Sequence, residues 1–189
     1  MKINEILMAS GLSTRMGENK LFLKFKGKKI YQHTLDLLKD LDFNKVIVVS
    51  SYDEILKEAE EMGFVGIFND DNEVGKSSSI KLGVRECDDE AMMFFVADQP
   101  LLSLKTCEKI IDAYKHKELI TYPVVNDRRG APVIFPNNYK EDLYKLEGDQ
   151  GGMILAYKQE VNKVEISDES ELLDIDTVKT YEDMKEKYE

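Results

Sequence analysis

Cysteine is nearly absent from this chain: Cys87 and Cys107 are the only two in 189 residues. They stand far apart with no metal-ligand spacing, so no disulfide framework is indicated and both read as buried, idle thiols. Positive charge is also in short supply, with 26 Lys and Arg against 37 Asp and Glu, a formal net charge of -11. A chain without a basic face is a poor partner for nucleic acid, although a small anion could still bind at a local basic site. No apolar stretch approaches the roughly 20 residues that cross a bilayer, so no membrane partner is expected. The first residues run into a strand-like segment without a basic region, apolar stretch and cleavage site, and a cytoplasmic location is the expectation. There is no Pro/Ser-rich linker and no repeat, which predicts one domain over 1–189. Nothing resembles a His, Cys or Ser triad. His33 and His116 fall in helical stretches and read as packing or surface residues.

What is present is an ordinary globular composition, 42% hydrophobic and 33% charged, in a chain long enough for one sizeable core. Short apolar runs at 3–9, 45–50, 65–68, 91–97 and 119–123, with a return near 131–135, alternate with helix-period segments at 30–41, 53–62, 78–86, 103–115 and 139–145. Strand-helix alternation with continuously apolar strands predicts an α/β fold, its sheet mostly parallel and covered on both faces. Ligands of such sheets bind at the carboxyl ends of the strands. The residues that follow strands are therefore the ones to inspect.

After the first strand comes Ala9-Ser10-Gly11-Leu12-Ser13-Thr14-Arg15-Met16-Gly17-Glu18-Asn19-Lys20. Gly11 and Gly17 allow close backbone approach or positive φ, successive N–H groups can face phosphate oxygens, and Arg15 and Lys20 add full positive charge. It is neither a Walker loop nor a GxGxxG loop, and a plain strand-to-helix turn is the bland reading of its glycines alone. The apolar run 91–97 has the character of a central strand, and Asp98-Gln99-Pro100 follows at its carboxyl end. A carboxylate there could share Mg²⁺ with phosphate oxygens. Alone, it would read as a turn or helix cap.

Together these runs resemble a known family. The first is similar to the L-A-A-G-x-S-x-R-M-G-x-x-K signature of nucleotidyltransferases related to the molybdenum cofactor guanylyl- and cytidylyltransferases, matched at Ala9, Gly11, Ser13, Arg15, Met16, Gly17 and Lys20 and departing at Met8 and Ser10. The second resembles the family's G-D-x-P turn, with Ala97 in place of Gly. Further segments agree: Gly75, Ser79 and Ile80 fit G-x-x-x-S-l, residues 128–135 fit r-G-x-P-v-l-f, 148–152 fit G-D-x-G-a, and Asp174-Ile175-Asp176-Thr177 fits the closing D-I-D-T.

The resemblance covers nearly the whole chain. It implies a three-layer, Rossmann-like sheet of the nucleotide-diphospho-sugar transferase type, and transfer of a nucleotidyl group to a phosphorylated acceptor. Arg15, Lys20 and Asp98 would be catalytic, with Asp98 the ligand of Mg²⁺. Ala9, Ser10, Gly11, Ser13, Arg15, Lys20, Asn69 and Ser79 would face the nucleotide, and Gly130, Pro132 and Asp149 the acceptor. Asp176 or Thr177 reads as the cap of the last helix rather than as chemistry. The M-A-S-G form lies nearer to cytidylyltransferases than to the A-G-G form of guanylyltransferases, so the resemblance implies CTP, a molybdopterin acceptor and a molybdoenzyme client or chaperone. A related nucleotidyltransferase using GTP or another phosphorylated acceptor, or a nucleotide-binding accessory protein without turnover, are the competing readings. A dinucleotide-dependent oxidoreductase is opposed by the missing GxGxxG.

Overall fold

The computed structural model describes residues 2–13, 16–41 and 43–189. Its central sheet has eight strands, seven of them in the order β10-β7-β9-β6-β1-β4-β5, with β8 paired to β7. In chain order they are β1 (Ile3–Ala9), β4 (Lys45–Ser50), β5 (Val65–Phe68), β6 (Ala91–Val96), β7 (Ile120–Val125), β8 (Arg128–Arg129), β9 (Val133–Phe135) and β10 (Val161–Glu165). A separate antiparallel pair, β2 (Lys24–Phe25) and β3 (Lys28–Lys29), follows the first loop. The helices are α1 (Ile30–Asp40), α2 (Asp53–Glu61), α3 (Lys76–Arg85), α4 (Leu104–His116), α5 (Lys140–Tyr144) and α6 (Val178–Tyr188).

Strands β6, β1, β4 and β5 run parallel, as do β7 and β10, while β9 enters antiparallel between β6 and β7. The expected mostly parallel sheet is present. Alternate side chains of β1 serve two cores, as the two-residue strand period requires. Ile3 and Leu7 join α1, α2 and α4 through Leu35, Leu38, Ile55, Ala59, Cys107 and Ile110. Ile6 faces the other side with Ile80 and Val84 of α3 and Leu143 of α5. The outcome is three layers. No helix among the described residues is long and apolar enough to cross a membrane.

The predicted helices and main strands are matched to within two residues at each end. The elements that the sequence pattern did not reveal are β2, β3, β8 and β10. Three of these have only two residues each, mostly Lys and Arg, and β10 is half-exposed, so none carries an apolar signature.

Both cysteines are free and buried, and burial pushes the Cys87 thiol up to about 12, which suits an inert core role. His33 Nε2 lies 2.8 Å from the main-chain oxygen of Phe25, tying α1 to the small hairpin, and His116 is exposed.

Helix α3 approaches the sheet closely at Gly83, where an added Cβ would stand 2.4 Å from Cγ2 of the fully buried Ile6. Gly83→Ala is therefore expected to destabilise the fold by about 1–3 kcal/mol through overpacking. Denaturant unfolding checks this, and a variant as stable as the parent would show that helix and strand have room to separate.

Candidate functional site

The register of β1 against β6 places the site. Met8 pairs with Val96, so the loop after β1 and the turn after β6 leave the sheet side by side at its carboxyl edge. Here a cavity of about 550 Å³ opens between the first loop, the start of α3 and the Asp98 turn.

Lys20 is set by local structure before any long-range contact. Asn19 accepts a hydrogen bond from Leu21 N at 3.1 Å and so caps the short 3₁₀ turn at Lys20–Phe22, while Ser13 Oγ accepts from Lys20 N at 3.1 Å. The loop's far side is held by Tyr52, whose hydroxyl donates to Gly11 O at 2.9 Å. Thus fixed, Lys20 Nζ donates to Asp98 Oδ2 at 2.6 Å and to Asp176 Oδ1 at 2.7 Å. Burial works against the ammonium, but the charges and hydrogen bonds of Asp98 and Asp176 outweigh it and raise its pKa.

Asp176 reaches the site because the segment before α6 is bound to the Asp98 turn. Ile175 N donates to Asp98 O at 3.1 Å, and Gln99 Nε2 donates to Asp174 Oδ1 at 2.8 Å. The cap of α6 is Thr177, whose hydroxyl accepts from Thr180 N at 3.1 Å. Capping thus falls on Thr177, and Asp176 belongs to the site, which corrects the alternative that made Asp176 a cap. A signal was available in the sequence. In an extended Asp-Ile-Asp, both acids share one face while Ile175, fully buried, anchors the other. Burial, reinforced by the charge of Asp98, pushes the Asp174 carboxyl up to about 6.

The other expected residues divide. Ser10, Gly11, Ser13, Lys20, Ser79, Asp98 and Asp149 all line the cavity. Ala9 does not: it is fully buried within β1. Asn69 is also off the wall, buried at the end of β5, where its Nδ2 donates to the hydroxyls of Ser78 and Ser79 at 3.0 Å. It braces the start of α3. Arg15 lies outside the described residues.

A second cavity of about 320 Å³ adjoins the first, floored by Phe94, Phe135, Leu143 and Met153 and edged by Gln99, Arg129 and Gly130. Gly130, expected to face the acceptor, edges this second cavity, Pro132 is on neither wall, and Asp149 lines the first cavity. The residues shared by both are Met8, Lys76, Val96 and Asp174. Sequence reading missed Lys76 and Gln99.

Among the described residues no three His, Cys, Asp or Glu side chains form a ready cage for a metal ion. Magnesium does not require one, since it is commonly held by one or two carboxylates together with substrate phosphates and water. The donor set fits that mode: Asp98 Oδ1 is buried and has no hydrogen-bond partner among the described residues, while its other oxygen is taken by Lys20.

Comparison with known proteins agrees with this fold. The sequence model of the MobA-like NTP transferase domain matches residues 6–163. The chain is 28% identical over 127 residues to a probable molybdenum cofactor guanylyltransferase of Natranaerobius thermophilus, an alignment that covers 66% of this chain and 61% of that protein. It therefore spans only about three fifths of that relative's length. With the purine catabolism protein PucB of Bacillus subtilis it shares 27% identity over 200 residues, covering 94% of this chain and 93% of the other. Among solved structures, a manganese complex of Rv0371c from Mycobacterium tuberculosis superposes with a TM-score of 0.82 at 21% identity, over 98% of this chain and 99% of that one. At that identity the likeness speaks for the fold.

Proposed function

Because the chain belongs to the MobA-like NTP transferase domain family, we propose that it transfers a nucleotidyl group, CMP from CTP, to the phosphate of a molybdopterin-type acceptor and releases pyrophosphate. The observation that carries this reading is Lys20 bound between Asp98 and Asp176 at the carboxyl edge of the sheet, facing a cavity large enough for a nucleotide.

An acceptor phosphate monoester is largely dianionic at neutral pH, its second pKa being about 6, so the nucleophile needs no general base. One of its oxygens forms a bond to the α-phosphorus. The bond from that phosphorus to the bridging oxygen breaks, and its electron pair leaves with pyrophosphate. The protein's work is alignment and charge neutralisation. Asp98 would hold Mg²⁺, with Asp176 beside it, and the ion supplies positive charge at the triphosphate when bound. Lys20 neutralises phosphate charge from the loop side, and the main-chain N–H groups around Gly11 and Ser13 would meet phosphate oxygens. The manganese bound by the Mycobacterium tuberculosis structure supports a divalent ion here.

For the base, Ser10, its hydroxyl bonded to Val49 O at 3.3 Å, lines the cavity at a position where a glycine would leave more room, which supports a pyrimidine. The second reading, GTP, is favoured by relatives named guanylyltransferases. Equilibrium binding of CTP, GTP, ATP and UTP with and without Mg²⁺, followed by turnover with molybdopterin, tests both. CTP with Mg²⁺ is expected to bind at least about tenfold tighter than GTP, a difference of about 1.4 kcal/mol. GTP preferred over CTP would overturn the cytidylyl assignment, and absence of pyrophosphate release with every triphosphate would overturn the transferase.

A further inference from the structure

We infer that Lys76 is the cation that draws the two reacting phosphates together, touching both the α-phosphate of the nucleotide and the phosphate of the acceptor. This rests on the transferase reading and adds to it a catalytic residue at one of the unspecified positions of the G-x-x-x-S-l segment.

Position is the first argument. The wall common to the two cavities consists of Met8 and Val96, which are apolar, and Lys76 and Asp174, which are charged. If one cavity holds the triphosphate and the other the acceptor, the bond-forming atoms meet at that wall, and Lys76 is its only cation among the described residues.

Charge is the second. The described walls of the first cavity carry the carboxylates of Glu73, Asp98, Asp149, Asp174 and Asp176 against just two lysines. Lys20 is already committed to two of those carboxylates. The second cavity's other cation, Arg129, holds its guanidinium carbon 5.8 Å from the Tyr122 ring centre. Lys76 is exposed and makes no hydrogen bond or ion pair among the described residues, so its ammonium is available to an incoming anion. Two phosphates cannot approach within bonding distance unless their repulsion is offset, and a three-donor ammonium between them does this directly.

Anchorage is the third. The residue before it, Gly75, sits at φ +112, and a Cβ there would lie 2.7 Å from Gly148 O. Ser77 N donates to the same carbonyl at 3.1 Å. The base of Lys76 is thereby fixed against the 148–149 loop while its head stays free. It is also the first residue of the ten-residue α3, whose N-terminal amides add positive potential on the same side.

The test compares Lys76→Ala and Lys76→Arg with the parent chain. It measures pyrophosphate release with CTP, Mg²⁺ and molybdopterin, and binding of α,β-methylene-CTP with Mg²⁺ in the absence of acceptor. For the alanine variant, KM for molybdopterin should rise and kcat should fall by about tenfold or more each, the cost of one charge-assisted contact made with both phosphates. The analogue's Kd should rise by less than the KM for molybdopterin does, because Mg²⁺, Asp98 and Lys20 still hold the triphosphate. Arginine should restore part of the loss. The melting temperature should not move, since the exposed side chain makes no bond among the described residues. Alanine-variant KM and kcat within twofold of the parent would overturn the assignment, as would a loss confined to analogue binding. Should Lys76→Ala fail to fold, Lys76→Gln takes its place with the same expected losses. A parent chain that releases no pyrophosphate rejects the transferase reading and this inference together. An active parent with an unimpaired variant rejects this inference alone.

Discussion

Replacing Asp98 by asparagine is expected to lower pyrophosphate release by at least about a hundredfold, the scale of losing a group aimed at developing charge or at a metal ion, while leaving the fold intact. The structure explains why these two effects separate. Asparagine keeps the shape of the turn, and the bond from Ile175 N to Asp98 O belongs to the main chain and survives. Lys20 keeps Asp176 at 2.7 Å, so no buried ammonium is stranded without a partner. What disappears is the anionic oxygen, Asp98 Oδ1, that is buried without a hydrogen-bond partner among the described residues. Turnover and a thermal melt measured on the same preparation decide the matter. A variant with undiminished turnover would remove Asp98 from the chemistry, and one that is inactive because it is unfolded would make its role structural.

The second large effect concerns stability and lies outside the site. Glu5 sits in the middle of β1, fully buried, and neither carboxylate oxygen has a hydrogen-bond partner among the described residues. Burial pushes its carboxyl well above the usual carboxylate range. The folded state therefore holds the proton more tightly than the unfolded chain does. Stability linked to that proton is fully present below the ordinary glutamate value of about 4.3. It is lost at about 1.4 kcal/mol per pH unit as pH rises from there toward the folded-state pKa. Glu5→Gln abolishes the titration and keeps the shape. Its melting temperature should exceed the parent's by at least about 3 °C at pH 8, because a difference of about 1.4 kcal/mol is already worth that much in a domain of this size. The advantage should shrink toward zero near pH 4.5. Melting curves across that range test the account, and a gain that does not vary with pH would refute it.

How much of this was legible in the sequence depends on how local the cause is. The strands β1, β4 and β6 announce themselves as apolar runs because their burial on both faces leaves little polar alternation, and the helices follow from their 3.6-residue spacing. Gly11, Ser13, Lys20 and Asp98 were readable because they lie in segments that follow strand ends, and strand ends in a parallel sheet open at one edge. Ala9 and Asn69 lie off the cavity wall for a related reason: a motif identifies a neighbourhood, and which side chains in it line the cavity is settled by packing. Ala9 is buried in β1, and the amide of Asn69 is spent on two serine hydroxyls.

By itself the amino-acid sequence determined the layer order, the loop that presents Lys20 and the acid that follows β6, since each arises from interactions within a few residues. Tertiary structure alone decided that Asp176, 156 residues from Lys20, completes the ion pair, that Lys76 stands on the wall between two cavities, and that Glu5 meets no partner among the described residues of the core. Such facts depend on which distant surfaces the parallel register and the closing segment bring into contact. A carboxylate's worth is set by the charges and the water left around it after folding, and no local pattern encodes that environment.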